Sequence, residues 1–116
     1  MAVFVDPANC LSAALELDRS LDGIRCDGAP LRLRAGFHCG PCIAMRANDR
    51  IDYFGTTVNL AARLQAVAGA GEVTMALSDA QLPSVARRLA GVGAPLAVET
   101  MSIKGFDAPV EVLRFT

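Results

Sequence analysis

Asn59 and Arg63 stand four residues apart in the run Thr56-Thr57-Val58-Asn59-Leu60-Ala61-Ala62-Arg63-Leu64. On a helix that spacing sends both side chains out of one face. Leu60, Leu64 and Val67 fall on the other side, and burying that apolar side turns the amide and the guanidinium together toward a cleft or a partner. A guanidinium is a fixed fork of donors that holds phosphate oxygens bidentately, so a cleft with this pair suits a phosphate ester. Spacing alone leaves two readings open for each residue: Arg63 as a phosphate ligand or a solvated helix arginine, Asn59 as a ligand or a surface amide. Spacing gives two other residues only ordinary readings. Asp52, seven residues before Asn59, reads as a turn aspartate, and Lys104 as a surface lysine entering a hairpin.

The cysteines offer a second chemistry. Cys39-Gly40-Pro41-Cys42 has the spelling of a dithiol redox motif, but that chemistry needs the first thiol at a helix N-terminus. Here Gly40-Pro41 joins two strand-like segments. Zinc binding by Cys39, Cys42 and His38 lacks a second ligand pair at standard spacing. Cys10 and Cys26 read as ordinary buried or loop thiols, and His38, the single histidine, as a partner in a structural hydrogen bond.

The elements that must position these groups follow from periodicity and breakers. Residues 7–21 predict a helix with an apolar stripe of Leu11, Ala14, Leu15 and Leu21, opened by Asp6 as N-cap and Pro7 at its first position and ended by Asp22-Gly23. A turn is expected at Asp27-Gly28-Ala29-Pro30. Residues 31–37 alternate apolar and polar as a half-buried strand, returning through a tight turn at Gly40-Pro41 into residues 43–46 as a hairpin. Gly55 closes the next strand or loop, and Thr56 and Thr57 are expected to cap the helix carrying Asn59 and Arg63. Gly69-Ala70-Gly71 ends it. Residues 72–77 predict a strand, Ser78-Asp79 the cap of a short helix, residues 85–89 a separate helical piece beyond Pro83, and residues 91–95 a flexible stretch. Residues 97–104 and 110–115 form the last hairpin. The mixture is α+β, a single domain over residues 1–116 without internal repeats.

Composition bounds the partners. The 116 residues are 53% hydrophobic and 20% charged, with a formal net charge of −1. That balance excludes disorder and leaves no basic footprint for nucleic acid or an anionic membrane. There is neither an apolar run long enough to span a bilayer nor a signal peptide, so a soluble, cytoplasmic protein is expected.

The segment from Asp52 to Leu64 resembles the signature helix of the class III nucleotidyl cyclases, which make cyclic AMP or cyclic GMP from nucleoside triphosphates. The likeness extends to Leu33-Arg34-Ala35-Gly36-Phe37-His38-Cys39-Gly40-Pro41, to Ile103-Lys104-Gly105-Phe106-Asp107-Ala108-Pro109-Val110-Glu111-Val112, and to residues 4–21, which resemble a strand and helix of that domain. The resemblance implies a ferredoxin-like nucleotidyl cyclase fold and conversion of ATP to cyclic AMP and pyrophosphate with Mg²⁺ or Mn²⁺. By the same resemblance Arg63 acts on the α-phosphate, Asn59 orients the ribose, Asp52 reads the base in favour of ATP over GTP, and Lys104 reaches the terminal phosphates.

The family's pair of metal-binding aspartates precedes the segment matched by residues 2–5 and has no counterpart here. The chain is therefore expected to be a C-terminal part of the domain, truncated at the N-terminus, with no metal site of its own and no activity alone. A homodimer is expected, held by apolar surface near Val3, Phe4 and residues 31–37. Two alternatives stay open: a noncatalytic cyclase-homology module that binds nucleotide or dimerises, and a cysteine-based redox or metal-binding protein.

Overall fold

The computed structural model describes residues 1–92 and 96–115. Helix α1 (Pro7–Ser20) starts where Asp6 accepts a hydrogen bond from the Ala8 N–H at 2.9 Å, with Pro7 at its first position. Proline is suited to that place because its missing N–H would have had no helical partner. A small ribbon follows, β1 (Arg25–Cys26) and β2 (Ala29–Pro30), reversed at Asp27 and Gly28, which have φ of 51° and 80°.

Strands β3 (Ala35–Phe37), β6 (Val73–Ala76), β7 (Ala97–Met101) and β8 (Val110–Phe115) form a four-stranded sheet in the order β3-β6-β8-β7. β3 runs parallel to β6, and the remaining pairs are antiparallel. Between β3 and β6 the chain makes a separate ribbon, β4 (Ile43–Ala47) with β5 (Arg50–Phe54), and then helix α2 (Thr56–Val67). The one-turn helix α3 (Leu77–Ala80) and α4 (Pro83–Ala90) lie between β6 and β7.

Alternation along the central strands divides the core into two. Val73, Met75, Leu113 and Phe115 join Phe37 on one face, where Leu11 of α1 and Val85 and Leu89 of α4 cover them. Val112 points the other way, into a cluster with Leu60 and Leu64 of α2 and with Ile103. The arrangement is thus a mixed α+β sheet between α2 on one side and α1 with α4 on the other. Every residue of β6 is buried, as its central place in the sheet requires.

Several local expectations change. The hairpin is made by β4 and β5, not by β3 and β4, because Asn48 and Asp49 take φ of 52° and 60° and close a tight two-residue turn. β3 pairs instead with β6. Residues 31–34 do not continue that strand: the Leu31 N–H donates to the Ile24 carbonyl, the Leu33 N–H to the Asp18 carboxylate, and the Leu33 carbonyl accepts from Gly71. Residues 2–5 form no strand either. They have no ladder partner among the described residues, and without one an extended segment gains no backbone hydrogen bonds. Ser78 and Asp79 lie within α3, whose N-cap is Ala76. Of the stretch expected to be flexible, residues 93–95 lie outside the described residues.

Candidate functional site

Helix α2 is held at both ends and at its middle, and each tie is non-local. At the N-terminus Gly55 is the cap and neither threonine caps the helix. The Thr57 hydroxyl instead donates to the Pro41 carbonyl at 2.6 Å, fastening the helix to the turn before β4. At the C-terminus the fully buried Thr74 of β6 donates to the Leu64 carbonyl at 2.6 Å. That carbonyl is in the last turn of the helix, where no N–H of the helix remains to meet it.

At the middle, Gly36 of β3 lies directly under the helix backbone. A Cβ at Gly36 would collide with the Gln65 N and the Ala61 O, and would stand 2.8 Å from the Gln65 Cα. An isolated glycine within an alternating strand pattern is the sequence signal for such a close approach. With Leu60 and Leu64 buried beneath it, α2 has one available orientation, and Asn59 and Arg63 are exposed on its outer side.

Across from them is the connection between β7 and β8. The Phe106 N–H donates to the Ile103 carbonyl at 3.1 Å, and Gly105 takes φ of 92°, which makes Ile103-Lys104-Gly105-Phe106 a turn with Lys104 and Gly105 at its tip. The two elements enclose a groove of about 430 Å³ lined by Thr56, Asn59, Ala62 and Arg63 from α2 and by Lys104, Gly105 and Phe106 from the turn. Asn59, Arg63 and Lys104 are therefore brought together. Asp52 is not among the lining residues: it is exposed on β5, paired with Met45 across the ribbon. Thr56 and Phe106 line the groove without having been singled out from sequence as ligands.

The groove offers a guanidinium, an ammonium, an amide and a hydroxyl, but no carboxylate. Among the described residues no group of three or more His, Cys, Asp and Glu side chains is placed to hold a metal ion. This donor set fits an anion and does not fit Mg²⁺ or Mn²⁺, which take oxygen ligands, chiefly carboxylates.

The cysteine motif goes elsewhere. His38 Nδ1 lies 2.6 Å from Oδ2 of the buried Asp79, linking the end of β3 to α3. Burial, then the Asp79 carboxylate and then Cys10 push the Cys39 thiol up to about 11, and burial also raises Cys10. A dithiol redox motif needs the opposite shift. The cysteines of the chain are free, and Cys42 precedes a strand, not a helix.

The fold is that of an α+β domain, and its groove is cationic and amide-bearing. Residues 4–93 match the family model of the adenylate and guanylate cyclase catalytic domain, and the chain belongs to that family. Over 110 residues it is 38% identical to the uncharacterized protein Rv2212 of Mycobacterium tuberculosis, covering 95% of this chain and 25% of that one. A receptor-type adenylate cyclase of Trypanosoma congolense is 36% identical over 88 residues, 72% of this chain and 11% of its own length.

Among solved structures, an adenylate/guanylate cyclase/hydrolase from Silicibacter pomeroyi superposes with a TM-score of 0.74 at 21% identity, over 97% of this chain and 64% of that one. The guanylate cyclase domain of RhGC from Catenaria anguillulae in complex with GTP gives 0.74 at 22% identity, over 98% and 62%. The fold is the nucleotidyl cyclase fold, and the chain spans a quarter or less of the length of these curated relatives.

Proposed function

We propose that the groove binds the ribose and phosphates of a nucleoside triphosphate and forms the Asn59–Arg63 side of a cyclase site. The parent reaction is conversion of ATP to cyclic AMP: the ribose 3′-oxygen bonds to the α-phosphorus, the bond from that phosphorus to the bridging oxygen breaks, and pyrophosphate leaves. The observation carrying this reading is the convergence of Asn59, Arg63 and Lys104 from two elements on one groove. Donors aimed at the α-phosphate gain strength as charge builds there, which is the role proposed for Arg63. Asn59 orients the ribose, Lys104 meets the terminal phosphates, and Asp52, from the adjoining ribbon, favours ATP over GTP.

The Mg²⁺ or Mn²⁺ ions implied for the family would take their carboxylates from another domain, because this groove has none. A homodimer is part of the proposal. Val3, Phe4 and Leu31 are exposed, as are Ile43, Met45, Ile51 and Phe54 on the β4–β5 ribbon, and apolar surface of that kind is commonly covered by association. The free cysteines fit a reducing, cytoplasmic compartment, and no helix among the described residues is long and apolar enough to cross a membrane.

The test is complementation. The chain is mixed with a cyclase domain that has the metal-binding aspartates but lacks its own Asn/Arg pair, and cyclic AMP is measured. Activity is expected only in the mixture, and Arg63→Ala should lower it about 100-fold or more. A mixture with no activity, from a chain that also binds no ATP, would refute the reading. The lack of carboxylates supports one second reading, nucleotide binding without turnover, in which ATP binds but no mixture yields product.

A further inference from the structure

The geometry points to Phe106 and Gly105 as the residues that position Lys104 over the groove, an inference that rests on the nucleotide-binding reading above. Lys104 is exposed, and its ammonium sits on a flexible stem, so where it reaches is decided by the backbone that carries it. That backbone is clamped on both sides. Ile103 before it is buried, and Phe106 after it packs on the same cluster. The cluster also contains Leu60 and Leu64 of α2, the residues that immediately follow Asn59 and Arg63 in sequence. The turn and the helix are thus two parts of one apolar unit, and Phe106 is both a wall of the groove and a peg holding the turn to that unit.

Gly105 completes the device. Its φ of 92° is a backbone conformation that residues with a Cβ rarely adopt. The hydrogen bond from Phe106 to the Ile103 carbonyl closes the turn around it at 3.1 Å. Nothing stands within 4 Å of a Cβ added there, so a substitution at Gly105 disturbs the turn while leaving the packing of the core alone. Phe106 and Gly105 act through Lys104. Their loss should therefore be felt by the part of a nucleotide that Lys104 meets and not by the part held by Asn59 and Arg63.

The experiment is calorimetric titration of the purified chain with ATP and with AMP. Lys104→Met should weaken ATP about tenfold, the size of one charge-assisted contact, with AMP unchanged. Gly105→Ala and Phe106→Ala should each reproduce that ATP-selective loss, Phe106→Leu should restore most of the affinity, and Lys104→Met combined with Phe106→Ala should bind ATP no more weakly than Lys104→Met alone. ATP affinity unchanged in both Gly105→Ala and Phe106→Ala, with Lys104→Met still impaired, overturns the positioning role and leaves the nucleotide reading standing. Equal losses of ATP and AMP in both variants overturn it too, since they signify a general structural role. An unmodified chain that binds neither nucleotide overturns the underlying reading and this inference together.

Discussion

Gly36→Ala is the change that should couple stability to the site most directly. The added methyl would lie against the α2 backbone: it meets the Gln65 N and the Ala61 O, and stands 2.8 Å from the Gln65 Cα. Carbon atoms in good contact are about 3.5–4.0 Å apart, so the helix must move away from β3 by roughly 1 Å. Backbone cannot swing aside as a side-chain tip does, and the helix is also tied at Thr57 and Thr74. Overpacking of this kind costs about 1–3 kcal/mol. At about 4 °C per kcal/mol for a domain of this size, the thermal midpoint should fall by roughly 4–12 °C.

The same displacement shifts Asn59 and Arg63 relative to the turn that bears Lys104. Misplacement by about 1 Å can cost as much as 100-fold where geometry matters, and ATP affinity should therefore fall while Arg63 itself is intact. Circular dichroism melts and calorimetric titration of the same samples read both effects. A Gly36→Ala protein with an unchanged midpoint and unchanged ATP affinity would refute the claim that this glycine seats the helix.

Other consequences concern single contacts. Thr74→Val removes the hydroxyl that meets the Leu64 carbonyl and leaves that carbonyl buried without its partner, so denaturant titration should show a loss of about 1–3 kcal/mol. His38→Leu strips Asp79 of its partner at 2.6 Å and should destabilise by about 2–3 kcal/mol, whereas an unchanged midpoint would mean that Asp79 finds water instead. Asp52→Cys in a complemented, active assembly should narrow the preference for ATP over GTP, and unaltered discrimination would remove Asp52 from base reading. Burial, Asp79 and Cys10 raise the Cys39 thiol from 9.0 to about 11. The folded state therefore keeps a proton that the unfolded chain releases, and this group's effect on stability is unfavourable as pH climbs from about 9 to 11. Mass-resolved alkylation near pH 8 should accordingly label the exposed Cys26 and Cys42 well before Cys39.

The readable parts of the chain were those whose cause is local. Asp6-Pro7 starts α1 because capping and the fixed φ of proline act within a few residues. The i, i+4 spacing put Asn59 and Arg63 on one face of α2 and Leu60 and Leu64 on its buried side without knowledge of any partner. The final hairpin and the α+β mixture followed in the same way from periodicity and breakers.

Tertiary structure decided whatever depends on a residue far along the chain. The alternation of residues 31–37 could not name β6 as the partner of β3, because a period of two describes a strand's faces and says nothing of its neighbour. Thr57 was a plausible cap until the Pro41 carbonyl came within 2.6 Å, and Asp79 another until His38 did. Lys104 and Arg63 are forty-one positions apart and share a groove because Ile103 and Phe106 pack on the same apolar cluster as Leu60 and Leu64. Side-chain chemistry and helical spacing are properties of neighbours in sequence and were available from the chain alone. The convergence of charges from separate elements is a property of packing, and only the folded sheet with α2 seated on Gly36 brings it about.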